Sequence, residues 1–327
     1  MSDFPFRGVI ANVFTVFNDD LSLDDDGQRR FLDALCATES VSAYFVRSGM
    51  GQMYSFVADD VKQIARTACG HLGAGEPVLV GAAGVWDRNQ DRRPDPEAFI
   101  QESIELSRYA EDVGAAGVVH TLPEAILATS KNAAADIAVD YFTRVADAVS
   151  IPVLIYQAPG TDDLHCVTPE SLARIAVIDG VRGIKVSSPD AGYIFDLCRA
   201  IEGTDCAFIT GNECSWMWGL HCGSPSVIGQ GACVNPQVLK AAQDRFDRGD
   251  LDGAREAQAS INLLVEACPN AVYFYKRYLN ENGFAMSAAQ RLVGNNPYAE
   301  ADRVPLTDAE YVAFKRVYEA ELARYSD

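Results

Sequence analysis

The chain has 327 residues, of which 48% are hydrophobic and 22% charged, with a formal net charge of -19. That length buries a large core, as one α/β barrel or as two ordinary domains, and the acidic balance excludes nucleic acid and anionic membranes, which demand a basic face. No apolar run is long enough to span a bilayer, and the opening "MSDFPFRG" has neither a basic nor an apolar leader segment, so the cytoplasm is the expected location.

Taken in chain order, near-continuous β-prone runs lie at 8–14, 43–48, 77–83, 116–121, 152–157, 181–186, 206–211 and 225–230. Runs of this kind suit parallel strands buried on both faces. Between them lie amphipathic stretches such as "DDDGQRRFLDALCAT", "DPEAFIQESIELSRYAEDVG", "AAADIAVDYFTRVADAV" and "TPESLARIAVI", with apolar residues three and four apart. Thr168-Pro169-Glu170 opens a helix, and Gly114 and Gly180 close two others. Eight strands alternating with helices predict an α/β fold, a (β/α)8 TIM barrel over 1–233. A doubly wound sheet is the rival, but no G-x-G-x-x-G follows the first strand. Beyond 233 the strand signals stop, and four amphipathic segments predict a C-terminal helical region, 234–327, packed on the barrel without a flexible linker.

Nine cysteines, an odd set without a C-x-x-C, read as reduced thiols. Cys214, His221, Cys222 and Cys233 lie near one another in sequence, yet their spacing fits no zinc pattern, and no metal or cofactor is expected. His71, His120, His165 and His221 invite acid-base roles, because an unperturbed histidine side chain changes charge near neutrality. His120 ends the fourth strand and would face the barrel mouth or pack as an ordinary histidine; packing is the simpler reading. Tyr54, Trp216 and Trp218 line either a pocket or the core.

The stretch "VRGIKVSS", 181–188, ends a strand-like run in Lys185, one of only six lysines among 27 basic residues. Buried ammonium groups are costly. Lys185 is therefore either a strand-end side chain reaching solvent or a desolvated amine used as a nucleophile. In a barrel the reactive residues sit at the carboxyl ends of strands. There the fifth strand offers Tyr156, and the second runs into "SGMGQMYSF", whose Gly49-Met50-Gly51 would bare backbone amides. An ordinary glycine turn explains that loop equally well by itself. A low-dielectric mouth favours the neutral amine, which attacks a ketone to give an imine, and a neighbouring phenol moves the protons.

Together, "GVIANVFTVFNDDLSLD", "SGMGQMYSF", "IPVLIYQAPG", "VRGIKVSS" and "ITGNECSWMWGLHCGSPSVIGQGACVNP" resemble the dihydrodipicolinate synthase / N-acetylneuraminate lyase family of Schiff-base aldolases and dehydratases. The likeness covers nearly the whole chain, including Lys276 in the closing helices. It implies Lys185 as the imine-forming lysine and Tyr156 as the proton shuttle. It also implies Gly49 and Met50 as amides on a 2-oxo-acid carboxylate, with Ile228 and Gly229 near the keto-acid end. Family members are often tetramers, so a homo-oligomer is expected.

The departures are equally specific. Val16 replaces the proline of the opening turn, Met50 replaces a threonine, and Gln157 replaces the asparagine after the tyrosine. Thr161 stands where dihydrodipicolinate synthases carry an arginine, and Pro123-Glu124-Ala125 lacks their second relay tyrosine. Lysine biosynthesis is thus disfavoured. The expected activity is a lyase, aldolase or dehydratase, acting through a lysine Schiff base on pyruvate or a sugar-derived 2-oxo acid. Glu124, Asp162 and Asp163 lean toward a neutral or hydroxylated distal group. The alternative is a non-catalytic barrel that binds 2-oxo acids after losing its proton relay.

Overall fold

The structure, a computed structural model, describes residues 4–291 and 305–325. Among these residues eight parallel strands close into a barrel in sequential order: β1 Gly8–Asn12, β2 Ala43–Val46, β3 Val78–Gly81, β4 Gly117–Thr121, β5 Val153–Gln157, β6 Val181–Val186, β7 Ala207–Thr210 and β8 Ser226–Val227. Each strand falls within its predicted run, but β1, β2, β3, β7 and β8 end earlier than predicted. Arg47 to Gln52 and Ile228 to Gln230 are therefore loop residues at the barrel mouth.

Side chains along each strand divide between two cores. Ile10, Phe45, Leu79, Val119, Leu154, Tyr156 and Ile209 fill the lumen, and Phe4 and Phe6 plug its lower end. Their neighbours in the strands, among them Val9, Ala11, Tyr44, Val46, Val80, Ile155 and Ile184, face the helical shell. Burial on both faces is what makes the strands apolar throughout.

The shell consists of α1 Asp25–Cys36, α2 Ala58–Leu72, α3 Pro96–Asp112, α4 Lys131–Ala146, α5 Pro169–Ile175, α6 Ala191–Ala200, α7 Trp216–His221, α8 Gly231–Val234 and α9 Pro236–Asp247. Asp24, Asp95, Ser130, Thr168 and Asp190 cap α1, α3, α4, α5 and α6 by accepting hydrogen bonds from amides of the first turn. Helices α10 Leu251–Ala267, α11 Ala271–Glu281 and α12 Asp308–Leu322 follow, and Ile261, Leu264, Phe274, Phe314 and Tyr318 join the same apolar cluster as the barrel shell. Val16 is buried, and its amide donates to Gln28 Oε1 at 3.0 Å, a bond that proline could not make.

His120 points outward from β4 into a sealed polar cluster, not into the mouth. Its Nδ1 lies 2.8 Å from the Tyr141 hydroxyl and its Nε2 3.0 Å from Ser107 Oγ, while Tyr141 donates to Ser103 Oγ at 2.9 Å. Burial, assisted by the positive Arg47, pushes the imidazole down to about 3. The folded chain thus holds the ring neutral, whereas the unfolded chain protonates it below its ordinary value of about 6.5. Its contribution to stability is full above that value and is lost as pH falls toward 3. Wild-type unfolding free energy, from urea titrations, should therefore fall more between pH 7 and pH 5 than that of His120→Gln, by up to about 1.4 kcal/mol per pH unit. Equal losses in the two proteins would contradict a neutral buried ring. Tyr141→Phe should cost about 1–3 kcal/mol at pH 7, because it strands buried partners.

Candidate active site

The upper lumen is set by the pairing of β5 with β6, in which Tyr156 lies opposite Lys185 and Leu154 opposite Gly183. Gly183 faces Leu154, Ile209 and Phe4 inside the lumen, and Lys185, two residues on, shares that face. Lys185 is only 5% exposed, and its Nζ stands 4.0 Å from the centroid of the Tyr156 ring. Tyr156 is fully buried and is braced on its other side by an edge-to-face contact with Phe45. The amine is thus held against an aromatic face inside the barrel and does not extend to solvent.

Lys185 opens into a cavity of about 370 Å³ whose lining includes Asn12, Met50, Ser187, Glu213, Ile228 and Gly229. Of the residues singled out from sequence, Lys185, Met50, Ile228 and Gly229 border this space. Tyr156 lies beside Lys185, and Gly49 is buried in the adjoining loop. Ile228 follows β8 directly and extends its ladder by donating to Thr210 O at 2.9 Å. Lys185 is the only cationic side chain among the lining residues.

The loop after β2 is drawn tightly onto the end of β1. Ser48 Oγ donates to Val13 O at 3.1 Å and accepts from Gly51 N at 3.0 Å, and Thr15 Oγ1 donates to Gly51 O at 2.7 Å. A Cβ on Gly51 would come 2.6 Å from Val13 O, so this position excludes every other residue. With the loop tied through Ser48 and Gly51, the amides of Gly49 and Met50 donate to no acceptor among the described residues.

Glu213, in the short turn after β7, is 5% exposed, and its Oε1 accepts from Gly231 N at 2.8 Å. Burial raises its carboxyl above the ordinary range, against the lowering effect of the backbone donors and of Lys185. The other carboxylate oxygen would lie 1.9 Å from a Cβ on Gly229. Any larger residue at Gly229 would therefore have to displace the Glu213 carboxyl, a constraint that the local sequence does not display.

The sequence departures have local explanations. Glu124, in the place of the missing relay tyrosine, is a buried anion; its Oε1 accepts from Arg88 at 3.1 Å and from the Asp162 amide at 2.7 Å. The same Arg88 donates to Gly160 O at 2.5 Å and lies 5.3 Å over the ring of Tyr54. A guanidinium thus reaches the loop after β5 from the β3–α3 connection, although Thr161 itself only caps its own turn at Ala158 O. Tyr54 is buried, and its hydroxyl is unpartnered. Gln157 Oε1 accepts from Val167 N at 2.9 Å and from the Tyr193 hydroxyl at 3.2 Å, which ties β5 to the loop before α5.

None of the four histidines borders the Lys185 cavity. His71 bonds Asp33, His165 bonds Ile126 O, and His221 packs edge-on to Phe246. Cys214 is exposed, whereas Cys233 is buried in α8. Trp216 is a core residue donating to Leu239 O, and Trp218 is partly exposed. Sequence reasoning missed Asn12, Ser187 and Glu213, together with a wall supplied by the α10–α11 corner through Val265, Cys268, Pro269, Asn270 and Ala271. The available signals were a polar residue at the end of an apolar strand for Asn12 and a Pro-Asn helix start for the corner.

The Dihydrodipicolinate synthetase family is matched over residues 5–292. The 4-hydroxy-tetrahydrodipicolinate synthase of Methanospirillum hungatei is 27% identical over 322 residues, 98% of this chain and 99% of that protein. The putative 2-dehydro-3-deoxy-D-gluconate aldolase YagE of Escherichia coli is 30% identical over 200 residues, 61% of this chain and 59% of its own. Among solved structures, YagE in complex with pyruvate superposes with a TM-score of 0.77 at 24% identity, covering 98% of this chain and 99% of that one. N-acetylneuraminate lyase from Mycoplasma synoviae gives 0.76 at 17% identity, covering 99% of both chains. At such identities the structural likeness concerns the fold alone. The match along nearly the whole chain settles the descent: the protein belongs to the dihydrodipicolinate synthetase family.

Proposed function

We propose that the protein is a lyase that works through a Schiff base between Lys185 and a 2-oxo acid. The observation that carries this reading is the buried Lys185 amine held against the Tyr156 ring at the edge of a cavity large enough for a small substrate. In its neutral form the amine attacks the keto carbon of pyruvate or of a sugar-derived 2-oxo acid, giving a carbinolamine. Loss of water then leaves the protonated imine. In a retro-aldol step the imine takes up the electron pair of the bond between C3 and C4 as the C4 hydroxyl loses its proton, leaving an enamine and an aldehyde. In a dehydration the imine acidifies C3–H, and the enamine left by loss of that proton expels the C4 hydroxyl as water, leaving a conjugated imine. The Tyr156 hydroxyl carries protons to and from the carbinolamine and the leaving oxygen. The Gly49 and Met50 amides hold the substrate carboxylate, and Ile228 and Gly229 back the keto-acid end.

The remainder of the cavity favours a hydroxylated over an anionic distal group. Ser187 Oγ is buried without a partner, Glu213 is a carboxyl, and no second cation stands on the lining. A distal carboxylate would meet acid and no counter-charge. The second reading, a binding barrel without turnover, is favoured by Glu124, which is consumed by Arg88 and Asp162 N and is not free to relay protons.

Incubation with pyruvate and borohydride should add the mass of the reduced adduct to the peptide containing Lys185 and to no other peptide. Lys185→Ala should take up no adduct, and an unmodified wild-type peptide at saturating pyruvate would remove the imine reading. Tyr156→Phe should still form the adduct but lose about a hundredfold or more in kcat on a cleavable 2-oxo sugar acid. If wild type forms the adduct yet turns over no member of a panel of 2-oxo sugar acids, the binding-barrel reading replaces the lyase.

A further inference from the structure

Asn12 is the least expected residue of the cavity. It ends β1, two residues after the lumen-facing Ile10, and is 4% exposed among apolar neighbours. Its Oδ1 has no hydrogen-bond partner, and no bond from its Nδ2 occurs among the described residues. Buried carboxamides are ordinarily satisfied, so an idle one beside a cavity points to a group that arrives with the ligand.

Its position identifies that group. Asn12 pairs in register with Phe45 of β2, and the next residue, Val13, receives Ser48 Oγ and accommodates Gly51. Asn12 therefore lies directly beneath the loop whose Gly49 and Met50 amides are uncommitted, and it borders the same space as Met50 and Ile228. Asn12 and Met50 both line this space, with Gly49 in the adjoining loop, while the one cation among the lining residues, Lys185, is reserved for the keto carbon. Because neither edge of the carboxamide is bonded, it can turn its N–H toward an anion without breaking a bond in the empty site.

We propose that Asn12 binds the carboxylate of the 2-oxo acid, its side-chain amide donating beside the backbone amides of Gly49 and Met50. This rests on the reading of Lys185 as the imine-forming residue, and it assigns to a β1 side chain the donor that Met50 lacks. Asn12 is then a binding residue that sets affinity for the acid and leaves the chemical step alone.

The test measures pyruvate two ways in wild type, Asn12→Ala and Asn12→Asp: half-saturation of borohydride trapping at Lys185, and the pyruvate-induced rise in melting temperature. Asn12→Ala should raise half-saturation about ten- to a hundredfold, the range for a hydrogen bond to a charged group. Asn12→Asp, isosteric but unable to donate when ionised, should raise it further. Methyl pyruvate, which has no carboxylate, should trap with similar half-saturation in all three proteins. The melting temperature of ligand-free Asn12→Ala should equal or exceed that of wild type, since an unsatisfied buried group is removed.

Half-saturations for pyruvate within twofold of wild type in both variants would overturn the assignment. So would parallel losses for pyruvate and its ester, which indicate a structural role. If wild type is stabilised by pyruvate but not trapped, the imine reading fails while the variants' melting shifts still decide the carboxylate contact. If pyruvate neither traps nor stabilises wild type, both readings fall.

Discussion

The arrangement of the mouth depends on a one-residue shift in the pairing of β5 with β6. Val153 lies opposite Val181, but Leu154 lies opposite Gly183, so Arg182 is passed over. Val181 faces the helical shell, and Gly183 and Lys185 face the lumen. Without the extra residue, strict alternation would align Tyr156 with Ile184 and turn the lysine away from it. Such irregularities increase local twist and re-aim side chains, and here the re-aimed group is the one buried amine at the cavity.

Electrostatically the mouth is asymmetric. Arg88 and Glu124 form a partly enclosed pair at the edge of the Tyr54 pocket, with side-chain exposures of 9% and 4%. A pair buried to that degree contributes little net stability, because desolvation offsets attraction, but losing either partner strands the other. Its service is geometric: it joins the β3–α3, β4–α4 and β5–α5 connections through Gly160 O and Asp162 N. The Lys185 side holds acceptors and neutral donors, with Glu213 kept closer to its neutral form by burial.

The helical region contributes to the site as well as to the shell. The α10–α11 corner closes one side of the cavity, and Gln258 of α10 donates to Glu213 O at 2.9 Å while accepting from Met217 N at 2.7 Å. A helix beyond the last strand thus fixes the turn that carries the buried carboxyl. Substitutions along α10 would be felt at the mouth through that turn.

The barrel class, the helices around it and the pairing of Tyr156 with Lys185 were legible in the sequence. Continuous apolar strands, helix caps and a lone lysine ending a strand are local signals. The family likeness added the β2 loop and the residues after β8. Tertiary structure alone decided the rest. Gly229 answers to Glu213 across a loop, Asn12 is idle because of what surrounds the lumen, and Arg88 arrives at Gly160 from 72 residues away. Local propensity encodes which face of an element is apolar; it does not encode which polar groups closure of the barrel brings together or leaves unpaired.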